Sequence, residues 1–476
     1  MKLKTLSTAM ILATIPMTGA FAAAMDRSGQ SVSAFLQPGN YFEAGISVLD
    51  ADVKGQEAGI TTTRRNIGDM AEGYYFPNAA IKVQVNDKFS FGLLYDQPFG
   101  AKAEYSGDNI FVSNPGSDTV LGASAIDGLI TKKAIESLNN NGIDNPTTDQ
   151  INGAKQQVSA QLGPVIANAN ASLGHGQTKV DVHTENLSLI FGYQPIDNVT
   201  VYGGPVYQRV KGDVNLRGQA YSLYNGYDAH IKETGEMGWL VGTAYQIPDI
   251  ALKASVTYRS AIKHKAKTTE SLALLDNMNP TALQQLLVGG LGLSAEQIAS
   301  LGASGKTEVK TPQSVNLDLQ SGIMEDTIAF MNVRWVDWSS FSIQPTQFGN
   351  VSKAIGALVN KPDGFNLVQY SKDQWSINTG LGRKFTDKWA GNFSIGWDSG
   401  AGNPVTTLGP TKGYWSLGLG GQYSPAKDYF VQAGVRYFWL GDAKAQTGAQ
   451  ADTSEYVAKF DKNYAIGYAL KLGYRF

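Results

Sequence analysis

The chain has 476 residues, contains no cysteine and carries a formal net charge of −2 at pH 7. The lack of cysteine excludes disulfides and thiolate metal sites, and the near-neutral charge offers no basic field for a nucleic acid. Charged residues make up only 17 % of the chain, whereas 53 residues are glycine and 22 are tyrosine. In an exported protein, this composition is typical of a β-barrel.

The first 22 residues have the pattern of a secretory signal peptide. Two lysines precede an apolar run from Leu6 to Ile15, and Ala20-Phe21-Ala22 supplies a signal peptidase site. Cleavage after Ala22 and cleavage after Ala24 both fit this rule. No later apolar stretch reaches the roughly 20 residues of a transmembrane helix, a property that a soluble periplasmic protein and a membrane β-barrel share.

Strict alternation of apolar and polar residues begins in the segment from Ile81 to Tyr95. Ile81, Val83 and Val85 alternate with polar residues, and after a short polar turn Phe89, Phe91, Leu93 and Tyr95 do the same. This pattern predicts an antiparallel hairpin. It recurs at 252–259, 392–398, 415–423, 429–439 and 464–476.

Short and long connections alternate between the predicted strands. Tight turn signals lie at 86–88, 194–198, 247–249, 324–326, 386–388 and 424–428, and longer loops at about 55–73, 105–177, 217–226, 268–306, 343–372, 400–411 and 442–457. This alternation predicts an all-β fold, a transmembrane antiparallel β-barrel of about 14 strands over residues 41–476 with its short turns in the periplasm. A soluble β-sandwich would have strands of about 5–6 residues and no such alternation.

Two of the long loops have helical patterns. Residues 118–172 predict two helices, the second from Thr148 to about Ala169, and Ser294 is a plausible helix start within the loop at 268–306. These helices pack together as a lid, form a groove for an apolar ligand, or do both. The groove candidates are Leu272, Leu274, Leu275, Leu286, Leu287 and Ile298.

The closing segment YAIGYALKLGYRF, Tyr464–Phe476, has one wholly apolar face and one small or basic face. We expect the apolar face to contact lipid and the strand to pair with the first strand near Tyr41–Val48, which closes the barrel. Phe476 and Tyr474 match the signal that barrel-assembly machinery recognises. Interfacial aromatic girdles are predicted from Trp335, Trp338, Trp397, Trp415, Tyr429, Tyr437 and Trp439.

Several segments resemble the FadL-type outer-membrane transporters of long-chain fatty acids, a family that includes TodX-type aromatic hydrocarbon channels. The segments are 251–264, with Thr257-Tyr258-Arg259-Ser260; 332–341, with Trp338-Ser339-Ser340-Phe341; 375–400; 408–413; and the chain end. The resemblance covers most of the chain after residue 40.

The resemblance implies a barrel whose N-terminal segment, residues 23–40, folds inward as a hatch. This hatch is shorter than in other members of the family, and Phe35-Leu36-Gln37-Pro38-Gly39 stands where they have an Asn-Pro-Ala element. The family catches a hydrophobic ligand between outer loops, binds it inside the barrel and releases it sideways through a gap made by a kinked strand. Phe35 and Leu36 are therefore candidates for contact with the internal ligand.

The resemblance also implies a basic residue for the ligand carboxylate, and Arg209 is the main candidate. Arginine can bind a carboxylate through two parallel hydrogen bonds. The alternative is a structural arginine of the lumen wall in an ion pair with Asp213 or Glu233. Lys211, Arg259 and Arg334 are secondary candidates, each with the same structural alternative.

We therefore expect passive uptake of long-chain fatty acids or similar hydrophobic compounds across the outer membrane of a Gram-negative bacterium. The alternative is a general porin, which would favour about 16–18 strands. Neither a metal-binding histidine spacing nor a nucleophile elbow indicates an enzyme, and no cofactor is expected. The expected partners of this monomer are the lipophile, outer-membrane lipids including lipopolysaccharide, and the barrel-assembly machinery.

Overall fold

Fourteen antiparallel strands close into a barrel in the computed structural model, which describes residues 25–476. The predicted signal peptide, its cleavage sites and hatch residues 23–24 lie outside the described residues. The barrel strands are β1 (Tyr41–Asp52), β2 (Tyr74–Gln84), β3 (Phe89–Asp96 with Gly100–Glu104), β4 (Lys179–Ile196), β5 (Val199–Leu216), β6 (Tyr227–Ile247), β7 (Leu252–Arg259 with Ile262–Leu272), β8 (Gly305–Thr311 with Ser314–Met324), β9 (Thr327–Val336), β10 (Gln374–Lys384), β11 (Trp389–Asp398), β12 (Tyr414–Tyr423), β13 (Tyr429–Leu440) and β14 (Tyr464–Arg475).

The last strand closes the barrel, as its alternation predicts. β14 pairs with β1 from Tyr41 opposite Arg475 to Asp52 opposite Tyr464. Along β14 the odd-numbered residues are buried up to Gly473 and the large even-numbered ones are more exposed, so the apolar face is turned outward. All six predicted tight turns connect neighbouring strands, and the seven long loops emerge at the opposite end.

A row of aromatic side chains crosses the outer face of the barrel at one level. Trp335 lies opposite Trp375 in the ladder, and Trp397, Trp415 and Trp439 are neighbours on successive strands. Trp335, Trp397, Trp415 and Trp439 thus lie at one level on the outer face, the arrangement that an interfacial girdle requires, and their contact with the membrane interface stays a prediction. The girdle prediction is wrong for Trp338, which is fully buried and donates from Nε1 to Gln374 Oε1 at 2.7 Å.

Three strands are interrupted. β3 breaks at residues 97–99, β7 at 260–261 and β8 at 312–313. Pro98 and Pro312 lie in two of these breaks, because proline cannot donate a ladder hydrogen bond. The break in β3 is a candidate for the kinked strand that the family resemblance implies.

Helices and short strands fill the outer loops. The helices are α1 (Ala123–Asn140), α2 (Thr148–Ala171), α3 (Ala273–Asn277), α4 (Pro280–Gln284), α5 (Ala295–Leu301) and α6 (Thr346–Ile355), with a π-helical turn at Gln285–Gly290 after α4 and 3₁₀ turns at Gln219–Tyr224, Pro248–Ile250, Trp338–Ser340, Gly356–Val359 and Gly448–Gln450. Short strands at Gly55–Glu57, Asn66–Ile67, Val405–Thr406, Ala443–Gln446 and Ala458–Phe460 form one small sheet, and Ser342–Ile343 pairs with Val368–Gln369. Over residues 25–476, the helices are all too short or too polar to cross a membrane.

The buried apolar residues form two clusters. The larger cluster joins the outer loops to the loop-side ends of the strands, and the smaller one surrounds the hatch inside the barrel. The interior is therefore packed at two levels along the barrel axis.

Candidate functional site

An apolar cavity lies between the outer loops. Every residue that lines it is apolar: Val120, Leu121, Leu223, Leu272, Leu274, Leu275, Leu286, Leu287, Leu291, Leu293, Leu301, Val351, Ala354, Ile355 and Leu358. We call it the outer-loop cavity. Its lining side chains can contact the hydrocarbon part of a ligand but offer no polar group.

Helix caps fix the helices that build this cavity. The Ser294 hydroxyl accepts from the Gln297 amide at 3.2 Å, and the Gln297 side chain accepts from the Ser294 amide at 2.9 Å, a reciprocal cap for α5. Asn279 caps α4 by accepting from Thr281 N at 3.0 Å. The helix start predicted at Ser294 is thereby confirmed.

Buried tyrosines tie the loops to one another. Tyr224 donates to the Phe348 carbonyl at 2.8 Å and stacks on the Phe348 ring, and Tyr221 donates to Thr407 Oγ1 at 3.0 Å. Burial raises the pKa of both phenols, so each remains a proton donor. Three separate loops are thus fastened into one lid.

The structure brings most of the predicted groove residues together. Leu275, Leu286 and Leu287 line the outer-loop cavity, as do Leu272 and Leu274. Ile298 packs against the same hydrophobic cluster but does not line the cavity.

Phe35 and Leu36 of the hatch pack against the barrel wall. Phe35 is 1 % exposed, its ring lies 5.8 Å from that of Tyr202, and the strand glycines Gly92 and Gly192 make room for it. A Cβ atom built on Gly92 would lie 2.5 Å from the Phe35 ring. In this structure, both residues belong to the hatch packing and their ligand contacts remain a prediction.

The hatch is also fastened by Arg334, which extends inward from β9. Its guanidinium donates to both carboxylate oxygens of Asp26, at 2.7 and 3.1 Å, and to Gln30 Oε1 at 3.0 Å and Asn316 Oδ1 at 2.8 Å. Four hydrogen bonds occupy the group, and two of the partner residues belong to the hatch. Arg334 therefore acts as a hatch anchor in this structure rather than as a free carboxylate site.

The barrel wall opens where β3 breaks. β2 pairs with β3 from Ala79 to Gln84 only, and within the described chain residues 74–78 have no ladder partner on the β3 side. Beyond this stretch the Ala71–Ala103 bridge brings the two sides together again. The start of the hatch meets the break from inside, because Arg27 N donates to the Pro98 carbonyl at 2.7 Å.

A cavity lies at this opening, and we call it the wall cavity. Its lining includes Ser31 and Ala34 of the hatch, Pro77 of β2, Leu94 of β3 and the guanidinium-bearing Arg259 of β7. Arg259 donates to Ser188 Oγ at 3.3 Å and to the Gln30 carbonyl at 3.2 Å. Among residues 25–476 its Nε has no hydrogen-bond partner.

Arg209 and Lys211 do not face the lumen. Along β5 the even-numbered residues from Val206 to Val214 are buried, so both basic residues point outward. Arg209 is 44 % exposed and pairs with Glu185 and, at 3.0 Å, with Glu233. The lumenal position expected for Arg209 is thus wrong, and the Glu233 pairing weighed as its alternative is present on the outer face.

A closed 14-stranded antiparallel barrel with a hatch, an apolar outer lid and an opening in its wall defines the class of outer-membrane transport proteins. The family model described as "Outer membrane protein transport protein (OMPP1/FadL/TodX)" matches residues 165–476, and the chain belongs to this family. No curated protein sequence matches the chain.

Solved structures share the fold at low sequence identity. A Pseudomonas aeruginosa FadL homologue has a TM-score of 0.61 at 14 % identity, with 96 % of this chain and 98 % of that one covered. The P. putida toluene transporter TodX has a TM-score of 0.52 at 12 % identity, covering 96 % and 94 %. The Ralstonia pickettii toluene transporter TbuX has a TM-score of 0.51 at 12 % identity, covering 97 % and 98 %.

Proposed function

We propose that this protein admits long-chain fatty acids or similar hydrophobic compounds through the outer membrane of a Gram-negative bacterium, without an energy source. The outer-loop cavity carries this proposal, because a lining of 15 apolar residues suits a hydrocarbon and offers a hydrophilic solute no hydrogen bond. Each buried CH₂ group of a ligand contributes about 0.8 kcal/mol. Capture is therefore driven by the tail of the ligand.

The wall cavity is the proposed internal site and exit. It touches the hatch, the lumen and the unpaired stretch of β2, so a ligand there lies beside the hydrocarbon core of the bilayer. An apolar chain gains the same free energy per CH₂ in the bilayer as in a pocket and loses it in the aqueous periplasm. Lateral release between β2 and β3 is the favourable route.

Arg259 is the proposed contact for a ligand carboxylate inside the barrel. Its buried guanidinium lines the wall cavity and retains an unpaired Nε–H group, whereas Arg334 is occupied by the hatch. A ligand carboxylate would accept a charge-assisted hydrogen bond from this Nε–H group. An uncharged hydrocarbon would leave it unpaired, which favours fatty acids over alkanes and aromatics.

Uptake measurements test the proposal. Cells that lack their own transporters should accumulate a labelled long-chain fatty acid when they express the folded protein, and accumulate labelled toluene less. No increase for either compound would overturn the proposed function. A large, steady ionic conductance in planar bilayers would instead favour the porin.

A further inference from the structure

The outward face of β7 changes from apolar to basic at the break in this strand. Val256 and Tyr258 point outward before the break, whereas Lys263, Lys265 and Lys267 point outward after it. The residues between these lysines, including His264, are buried on the inner face. Three lysines therefore lie in a line on the outer surface.

The neighbouring strand extends this patch. On β8, Lys306, Glu308 and the half-buried Lys310 lie on the outward face, and each stands opposite a lysine of β7 in the ladder. Glu308 accepts from the Lys263 ammonium at 2.8 Å. For the other four lysines, Lys265, Lys267, Lys306 and Lys310, the described chain supplies no ion-pair partner. We call the five lysines the β7–β8 basic patch.

Several charges on the neighbouring outer wall are paired, unlike most of those in the patch. On β4 to β6, Arg209 pairs with Glu185 and Glu233, and His230 pairs with Asp213. Adjacent like charges on paired strands repel each other. On the outward faces at 263–267 and 306–310, Glu308 is the single acidic residue among five lysines, so it offsets this repulsion only in part, and an anionic ligand would reduce the rest.

The patch lies on the loop side of the aromatic row. Tyr258 contacts the Trp239 ring at 5.2 Å and stands opposite Val315, which in turn stands opposite Trp335 of the aromatic row. Lys263 follows Tyr258 by five residues. At a rise of about 3.3 Å per residue, the first lysine is within about 17 Å of the row, on the side of the long loops.

We propose that the β7–β8 basic patch binds the phosphate groups of a phosphorylated glycolipid of the outer leaflet, of the lipid A type. Alternate lysines on one strand are about 7 Å apart and opposed ones about 5 Å, so two or three ammonium groups can surround one phosphate. Lysine binds phosphate as a compact point charge. The acyl chains of such a lipid lie against the apolar outward face below the break.

The experiment measures binding of bis-phosphorylated lipid A to the purified full-length barrel in detergent, by native mass spectrometry. The patch variant carries Lys263→Gln, Lys265→Gln and Lys267→Gln. The control carries Lys132→Gln, Lys133→Gln and Lys155→Gln, which remove the same charge from the loop helices. We expect the patch variant alone to weaken binding by about tenfold or more, because it removes three of the five ammonium groups that face the phosphates.

Binding measurements with two further lipids identify the chemical group that the patch recognises. Lipid A without phosphates should bind the wild type and the patch variant equally, and phosphatidylglycerol should bind the wild type more weakly than lipid A. Equal lipid A binding by the patch variant and the control would overturn the proposal, as would wild-type binding that does not depend on phosphate. A gel shift between heated and unheated samples verifies folding, and fatty acid uptake tests the transport function separately.

Discussion

Arg334 of β9 holds Asp26 at the start of the hatch through two hydrogen bonds, from Nε to Oδ2 at 2.7 Å and from Nη2 to Oδ1 at 3.1 Å. Both side chains are almost completely buried, at 1 % and 3 % exposure. The pair joins positions 308 residues apart in the sequence. A buried ion pair costs desolvation and depends on both partners, which makes it a specific fastening for a hatch of so few residues.

Replacing Arg334→Ala should release the hatch while the barrel stays closed. Loss of one partner from a buried ion pair destabilises the joined elements by about 3–5 kcal/mol. We expect a higher ionic conductance in planar bilayers and faster protease cleavage of residues 25–40. The matched control is Arg436→Ala, because Arg436 is also buried but donates to Asn378 and Ser394 of the wall. Equal conductance of both variants would contradict the role of Arg334 as an anchor.

Replacing Gly92→Val should displace Phe35 from its place on the wall. The added Cβ would approach the ring to 2.5 Å, so the side chain or the strand must move. We expect raised conductance and a lower melting temperature. Gly421→Val is the control, since a Cβ there meets nothing within 4 Å. If the double variant with Phe35→Ala does not regain melting temperature, the effect does not act through Phe35.

Leu287→Gln should weaken capture of the ligand at the outer loops. An amide without a partner in an apolar cavity costs about 1–3 kcal/mol, which predicts a loss of affinity of roughly fivefold to a hundredfold for a labelled fatty acid. Val288→Gln is the neighbouring control, because Val288 is 47 % exposed and lies outside the lining. Equal affinities of the two variants would exclude the outer-loop cavity as the capture site.

Arg259→Gln should lower the uptake of acids and leave the uptake of neutral ligands unchanged. We expect uptake of a long-chain fatty acid to fall by about tenfold and uptake of the methyl ester of the same acid to be unchanged. The variant loses a hydrogen bond to the charged carboxylate, and such a bond contributes about 1.5–3 kcal/mol. A structural defect would lower both rates. Arg209→Gln, which removes an outward arginine, should leave both rates unchanged.

Alternation predicted the strands better than it predicted the sites. In β14 it identified the lipid-facing and lumenal faces because lipid contacts the whole outward face. Around Arg209 in β5 the buried face carries Val206, Val210 and Val214 and the outward face carries Arg209, Lys211 and Asp213, so the polarity expected of a lipid-facing strand is reversed there. The unbroken phase from Phe330 to Val336 on β9 could have placed Arg334 inward.

The fastening of the hatch could not be read from the sequence. Its contacts join Asp26 to Arg334 and Phe35 to Gly92 and Gly192, and each depends on strand registers that a single sequence does not specify. Pro98 was the available signal for the break in β3, since proline disfavours a central ladder position. The capping residues Ser294 and Gln297 were readable because a helix cap is local.

Phe476→Ala should reduce assembly without reducing the stability of the assembled barrel. The Phe476 side chain is 53 % exposed and stacks only on Tyr474, at 5.7 Å, among the ring contacts within residues 25–476. Its removal costs little packing, so the melting temperature of folded protein should be unchanged. If Phe476 is a recognition signal for the assembly machinery, the amount of folded protein in the outer membrane should fall several-fold. Phe385→Ala, which removes an exposed phenylalanine (65 %) from the turn after β10, should assemble normally, and equal yields of the two variants would contradict the signal.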